Sequence, residues 1–233
     1  MTVLILKRQR ATMNKLRRSI ESNSSLTTFI ECPYKYYQAY ILKRTSETTR
    51  KVQDGQWIHQ QLEKWVNDEY EPHEESDEYI NALKDWLDQT GITIQAAEET
   101  YHFLVADKYK YQMKADAVTD NFVIDFKVTA APAYYSWVQS YQARLYSYGM
   151  RILGTPKQFV YLLFERNKTT LGFKQLHVFH SNLTDIGFME TEIFIEQWEA
   201  LRASCYENNN FPPSLNGCGS CFYKKTCEFY EGR

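Results

Sequence analysis

Tyr111-Gln-Met-Lys-Ala-Asp-Ala-Val-Thr-Asp-Asn-Phe-Val-Ile-Asp-Phe-Lys-Val128 is the stretch on which the fold turns. Two apolar runs, rich in β-branched and aromatic residues, flank the turn-like Thr119-Asp120-Asn121 and predict a β-hairpin. Asp116 closes the first strand, and Asp125 and Lys127 sit in the second. Residues two apart on a strand share a face, so Asp125 and Lys127 project together from an otherwise apolar strand. Charge in such a strand is costly unless it is paired or holds a metal. Two readings follow. Asp125 and Lys127 form a salt bridge on a solvent-facing edge strand, the commoner outcome of this local pattern. Alternatively, Asp116, Asp125 and Lys127 form an Asp…Asp-x-Lys phosphodiesterase site. There the carboxylates hold a divalent cation, and the lysine stabilises charge or positions the attacking water.

The rest of the chain bears on that choice. Its 233 residues, 43% of them hydrophobic, suffice for one large domain or two small ones. No run is long enough to cross a bilayer. Met1–Leu6 is apolar but too short for a signal-peptide core, and the expected setting is cytoplasmic. A net charge of −2 does not advertise nucleic-acid binding, so such a partner would need a local basic patch. Lys7–Arg18, with six basic and no acidic residues, is a solvated face or frayed terminus by default and a phosphate contact at most secondarily.

Ser24 or Ser25 is the expected N-cap of a helix starting near Leu26, with Pro33 interrupting its apolar stripe. Lys43–Asp54 reads as a loop. Gly55 then opens a second helix with Trp57, Ile58, Leu62, Trp65 and Val66 on its buried stripe. His59 falls one step off the stripe, where a boundary histidine bonded to a neighbour is the default. Asp68–Glu78 reads as an acidic loop, and a third helix runs from Tyr79 to Gly91. Tyr101, Phe103 and Val105 mark a strand after Glu98 and Glu99. Beyond the hairpin a helix is expected from about Ala133 to Ile152, with Gln142 and Tyr146 stacked four apart. Phe159–Phe164 suits a buried central strand, and Leu171–Phe179 a further strand. Asn182 or Thr184 caps a last helix whose core carries Ile186, Ile193, Phe194 and Trp198.

The C-terminus differs in kind: Cys218-Gly-Ser-Cys221, five residues, then Cys227. Three cysteines so close, in a chain expected to stay in a reducing compartment, argue for metal ligation over disulfides. A fourth ligand is needed, with Cys32, Cys205 and a histidine as candidates. Cys32, beside a proline at a helix break, is better placed than Cys205. Spacing alone does not separate zinc from a four-iron cluster.

Taken in order, the motifs are Cys32-Pro33-Tyr34-Lys35-Tyr36-Tyr37, Gly55-x-x-x-His59, Asp116, Asp125-Phe126-Lys127, Gln142-x-x-x-Tyr146 and Cys218-x₂-Cys221-x₅-Cys227. This order resembles the RecB-like nucleases of the PD-(D/E)XK superfamily. It is most similar to their four-cysteine iron–sulfur branch, which holds the AddB nuclease domain and the CRISPR-associated exonucleases. The likeness spans about residues 24 to 229. No single motif is specific, but six in this order favour the catalytic reading over the edge-strand salt bridge.

The resemblance implies a metal-dependent DNA exonuclease acting on single-stranded ends, with possible endonuclease side activity. Its setting would be recombination or repair, CRISPR adaptation, or a viral or mobile-element system. It implies that His59, Asp116, Asp125 and the backbone carbonyl of Phe126 hold Mg²⁺ or Mn²⁺. Lys127 would orient water or offset charge at phosphorus, and Gln142 and Tyr146 would contact the DNA backbone or Lys127. Glu98 or Glu99 would be an additional acidic helper. Cys32, Cys218, Cys221 and Cys227 would bind a structural [4Fe–4S] cluster. An aspartate stands at Asp125 where the motif more often has glutamate, one methylene shorter in reach, and Cys205 matches nothing in the pattern.

The implied fold is one α/β nuclease domain. Residues 24–95 would form an N-terminal helical part, 96–205 a catalytic core with a mixed sheet, and 206–233 a cysteine-ligated tail. A cleft between lobe and core would admit DNA. Unwinding would need a helicase, and a recombinase or CRISPR adaptation partner and a homo-oligomer are compatible with the family. Two other readings are a catalytically idle nucleic-acid-binding or assembly module of the same fold and a zinc-stabilised scaffold. The first predicts no cleavage, the second no iron or sulfide.

Overall fold

The computed structural model describes residues 18–45, 50–130, 140–155, 157–181, 183–214, 218 and 221–230. The basic run before Arg18, the expected cap Asn182 and the first part of the helix anticipated from Ala133 lie outside the described residues. The elements are β1 (Glu21–Ser22), α1 (Asn23–Glu31), α2 (Pro33–Tyr36), a π-helical turn (Tyr37–Ile41), α3 (Arg50–Val66), α4 (Glu74–Thr90), β2 (Ala96–Val105), β3 (Tyr109–Val118), β4 (Phe122–Thr129), α5 (Tyr141–Ile152), β5 (Gln158–Arg166), β6 (Phe173–Ser181) and α6 (Asp185–Asn208). The fold is mixed α/β. Among the described residues the sheet has six strands, in the order β1-β3-β4-β5-β6, with β2 on β3.

The hairpin forms where the sequence places it. Thr119 Oγ1 accepts the backbone N–H of Phe122 at 2.9 Å and closes the turn. β4 is not an edge strand. It lies antiparallel to β3 and parallel to β5, so the edge-strand part of the salt-bridge reading does not hold, although Asp125 and Lys127 do pair. β5 is central, and Phe159–Phe164 is buried throughout, as a strand covered on both faces requires.

Three helices begin earlier than their apolar periodicity suggests. α1 is capped by Ser22, not Ser24 or Ser25: Ser25 N–H donates to Ser22 Oγ at 3.3 Å, and Ser22 N–H returns a bond to Ser25 Oγ at 2.9 Å. Ser25 is thus the reciprocating member of a capping box. α3 starts at Arg50 rather than Gly55, because its first turns are almost wholly polar and carry no apolar signal. α4 starts at Glu74, inside the expected acidic loop. His73 Nδ1 accepts Glu75 N–H at 3.3 Å, and Glu74, Glu75 and Asp77 oppose the positive end of the helix dipole. α4 ends as expected at Gly91, whose φ of 66° is the left-handed conformation of a helix C-cap. β2 begins at Ala96, so Glu98 and Glu99 lie within the strand.

Packing divides the chain into two compact units. One comprises Thr49–Phe103 and Met113–Phe188. Its core joins Ile58 and Leu62 of α3 and Tyr79 and Leu83 of α4 to Ile124 and Phe126 of β4. α5 attaches through Tyr146, edge-on to Phe159 at 5.1 Å. The other unit comprises Met1–Thr48, Leu104–Gln112 and Met189–Arg233. Phe29, Tyr36, Ile41, Cys205, Tyr206 and Phe211 form its apolar cluster, so Cys205 is a packing residue.

The inward face of α6 differs from the expectation. Ile186 and Ile193 are 71% and 53% exposed, while Glu199 and Arg202 are buried. The reason is charge pairing: Arg202 meets Glu21 at 3.0 Å and also Glu199, to which Tyr111 donates at 2.7 Å. Paired and hydrogen-bonded, these groups can occupy a core face that apolar spacing assigns elsewhere. No helix among the described residues is long and apolar enough to cross a membrane.

Candidate active site

Strand alternation builds the site. Ile124 and Phe126 of β4 enter the core against α3 and α4, so Asp125 and Lys127 project from the opposite face. The β3–β4 register pairs Val118 with Val123 and Ala117 with Ile124. Asp116, the next residue of β3, thereby comes close enough to Asp125 for its charge to act on that carboxyl. The two carboxylates, nine residues apart in sequence, therefore become cross-strand neighbours.

Each charged group is held by a partner. Phe126 N–H donates to Asp116 Oδ2 at 2.6 Å. His59 of α3 places Nε2 3.0 Å from Asp116 Oδ2 and Nδ1 3.0 Å from Glu63 Oε1. Lys127 Nζ pairs with Asp125 Oδ2, and Gln142 Nε2 of α5 donates to Asp125 Oδ1. Gln142 is oriented in turn: Tyr161 OH donates to its Oε1 at 3.3 Å, and Tyr161 and Ser140 hydroxyls share a bond of 2.7 Å. Ser140 also caps α5 by accepting Ala143 N–H at 3.1 Å. Tyr146 OH donates to the Lys114 carbonyl at 2.8 Å and accepts Lys114 N–H at 3.3 Å, which ties α5 to β3. Glu98 pairs with Lys114, and Glu99 is exposed.

The electrostatics suit a cation. Asp125 is 3% exposed. Burial pushes its carboxyl up to about 6 against the opposing pull of Lys127, and the neighbouring Asp116 adds to the rise. Burial works against a charged His59, but the hydrogen bond to Asp116 and the charges of Asp116 and Glu63 prevail and raise its pKa. The ligand atoms of His59, Glu63 and Asp116 all lie within 4.8 Å of one another. One imidazole and several carboxylate oxygens form a hard, mostly oxygen donor set suited to Mg²⁺ or Mn²⁺.

His59, Asp116, Asp125, Lys127 and Gln142 thus converge, with Tyr146 beside them. Glu63, Tyr161 and Ser140 are absent from the sequence-based set. The spacing of Glu63, one helical turn after His59, was the available signal for it. Nothing local points from Tyr161 to Gln142, because their contact depends on β5 docking under α5.

The four cysteines of the motif share one place in the other unit. Cys32, Cys218, Cys221 and Cys227 line a cavity of about 670 Å³ with Tyr34 and Lys35. Cys32 stands between α1 and α2, and its Sγ accepts the backbone N–H groups of Lys35 at 3.4 Å and Ser214 at 3.3 Å. Burial and the proximity of Cys227, Cys32 and Cys221 push the Cys218 thiol up.

A family model for the PD-(D/E)XK nuclease superfamily matches residues 21–117, less than half of the chain, a span that includes His59 and Asp116. No curated protein sequence matches. Among solved structures, a Eubacterium rectale protein provisionally named as an exonuclease superposes with a TM-score of 0.63 at 13% identity, covering 92% of this chain and 89% of its own. The alkaline exonuclease LHK-Exo from Laribacter hongkongensis is similar at a TM-score of 0.38 and 11% identity, covering 87% of this chain and 95% of its own. The chain shares the fold of the Eubacterium rectale structure, a mixed sheet flanked by helices.

Proposed function

We propose that this chain is a metal-dependent deoxyribonuclease of the PD-(D/E)XK type that hydrolyses phosphodiester bonds from single-stranded DNA ends. The observation that carries the reading is the meeting of His59, Asp116, Asp125 and Lys127 on and beside one β-hairpin, with both aspartates buried. His59 Nε2, a carboxylate oxygen each from Asp116 and Asp125, and the carbonyl oxygen of Phe126 hold Mg²⁺ or Mn²⁺. When bound, the metal supplies Lewis acidity, lowering the pKa of water and withdrawing charge from a phosphoryl oxygen. Phe126 N–H and Gln142 fix the two carboxylates, so little reorganisation accompanies binding. Lys127 is about a third exposed, and its ammonium can leave Asp125 to meet a phosphate or the attacking water.

The cysteine cavity supports a structural [4Fe–4S] cluster on Cys32, Cys218, Cys221 and Cys227. The four cysteines line one cavity, and the N–H groups on Cys32 Sγ would stabilise a ligating thiolate. Such a cluster would join α1 to the C-terminal tail. Recombination or repair, CRISPR adaptation and a viral or mobile-element system are the settings that fit such an activity, with a helicase or recombinase supplying the strand.

The test is cleavage of end-labelled linear and closed circular single-stranded DNA with Mg²⁺ or Mn²⁺, beside Asp116→Ala. Degraded linear DNA, surviving circles and an inactive variant support an exonuclease. Circles cut as fast as linear DNA replace it with an endonuclease. Iron-loaded protein that cuts nothing with either metal removes the enzymatic reading and leaves a binding module.

A further inference from the structure

We propose that Glu63 is a positioning residue that acts through His59 and is not itself a metal ligand. The inference rests on the metal site proposed above and assigns a role within it. His59 and Glu63 are four apart on α3 and stack on one helix face. The imidazole is engaged at both ends, Nδ1 with Glu63 Oε1 and Nε2 with Asp116 Oδ2, each at 3.0 Å. A histidine that ligates a metal gives up one of these partners and keeps the other, which then sets the tautomer and the ring plane.

The two ends are not equivalent. On the Nε2 side stand Asp116, held by Phe126 N–H, and next to it the buried Asp125 with Lys127. On the Nδ1 side, among the described residues, stands Glu63, carried by the same helix as the ring it touches. The cation therefore belongs at Nε2, where carboxylates from two strands converge, and Glu63 keeps the Nδ1 proton. Proximity alone would admit Glu63 as a third donor, since its oxygen lies within reach of the same cluster. The existing hydrogen bond commits Oε1 of Glu63 to the ring, so ligation would have to use its other oxygen or break that bond, and the bond as it stands favours the supporting role. A simple i,i+4 helix pair is the bland alternative; it would affect helix stability and nothing else.

The experiment is Mn²⁺ titration by calorimetry of the full chain and of Glu63→Ala, Glu63→Gln, His59→Ala and the His59→Ala/Glu63→Ala double variant, with circular dichroism and melting as fold checks. Glu63→Ala is expected to weaken Mn²⁺ binding by about 10- to 100-fold, and Glu63→Gln, which keeps an acceptor, by about threefold or less. The double variant is expected to bind no more weakly than His59→Ala, because Glu63 acts only through the ring. Equal losses in Glu63→Ala and Glu63→Gln, with a double variant weaker than His59→Ala, would make Glu63 a ligand and overturn the proposal. Wild-type affinity in Glu63→Ala beside a weakened His59→Ala overturns it too, while the metal site stands. Wild-type affinity in His59→Ala removes the metal site and this role together. Nitrogen-15 spectra of the unaltered, Mg²⁺-loaded protein guard against misfolded variants: a proton on Nδ1 and none on Nε2 is expected, and the reverse overturns the assignment.

Discussion

The carboxylate cluster and the cysteine cavity are two sites built in opposite ways. In the first, every charged group already has a protein partner. Asp116 takes a backbone N–H, Asp125 takes Gln142 and Lys127, and His59 is gripped between Glu63 and Asp116. Sheet register and helix spacing hold these groups, and both belong to the core of their unit. In the second, the described tail from Cys221 to Tyr230 consists of turns and one short 3₁₀ segment, Lys224–Thr226, and the Cys218 thiol makes a 3.6 Å S–H bond to the Ser214 carbonyl. The fold by itself holds the carboxylate groups in place. At the cysteines it supplies donors whose arrangement a bound group would complete.

The largest expected effects break that contrast at its ends. Asp116→Ala should abolish cleavage and leave the fold intact, because the site is not what holds the sheet together. Lys127→Ala should lower the rate by about 10²- to 10³-fold, as for the loss of one charge-stabilising donor. Rates in Mg²⁺ and Mn²⁺ beside far-ultraviolet dichroism decide both; an unfolded variant, or one cutting at full rate, counts against the site. Cys221→Ser should do the reverse, losing iron and solubility together. Cys205→Ser, a change in the packed cluster of the same unit, should keep its iron. Normal iron content in Cys221→Ser would sink the ligand assignment.

A subtler effect follows from Asp125. Its carboxyl is raised to about 6 from an ordinary value near 3.8, chiefly by burial. Between these values the folded chain holds a proton that the unfolded chain has released. This group's stability contribution is therefore present below the unfolded value and lost as pH rises through about 6. Metal-free Asp125→Asn should accordingly melt above the unaltered chain at pH 8 and level with it near pH 4. A variant equally stable at both pH values would show that Lys127 and Gln142 compensate the buried charge fully. The trade of stability for a charged site is the usual one at catalytic centres.

The two sites also differ in how they could be read from sequence. The hairpin was legible because its signals are local: alternation sets the face, a turn tripeptide sets the register, and Asp125 and Lys127 stand out against apolar neighbours. His59 was legible only through its order among other motifs, since one step off an apolar stripe it looks ordinary. Glu63 and Tyr161 were missed, although Glu63 carried a helix-spacing signal that Tyr161 lacked. The buried face of α6 was misread for a physical reason. Arg202 and Glu199 enter the core as a pair, with Arg202 also meeting Glu21 and Glu199 accepting from Tyr111, and no window along α6 contains Glu21 or Tyr111. Helix starts at Arg50 and Glu74 were missed because capping and dipole effects act on polar residues that periodicity ignores.

The smallest expected effect tests how deep the preorganisation of the carboxylate site runs. Tyr161 is the β5 neighbour of Asp125 in the sheet; its hydroxyl meets Gln142 Oε1 and Ser140 Oγ, and Gln142 in turn holds Asp125. Tyr161→Phe keeps the ring against Phe159, 4.7 Å away and edge-on, and removes only the hydroxyl. Losing those bonds should cost about 0.5–1.5 kcal/mol, and if all of it reaches the transition state the rate falls by about two- to tenfold. Unchanged metal affinity with a modest fall in rate would place Gln142 as a group that matters in the reacting complex more than in binding. A loss as large as that of Lys127→Ala would mean that the Ser140–Tyr161–Gln142 chain positions Asp125 itself, and that the site is less independent of α5 than the β3–β4 register alone suggests. The same substitution should leave any bound iron untouched, because Gln142 and Ser140, the partners of that hydroxyl, lie within the unit that carries the carboxylates.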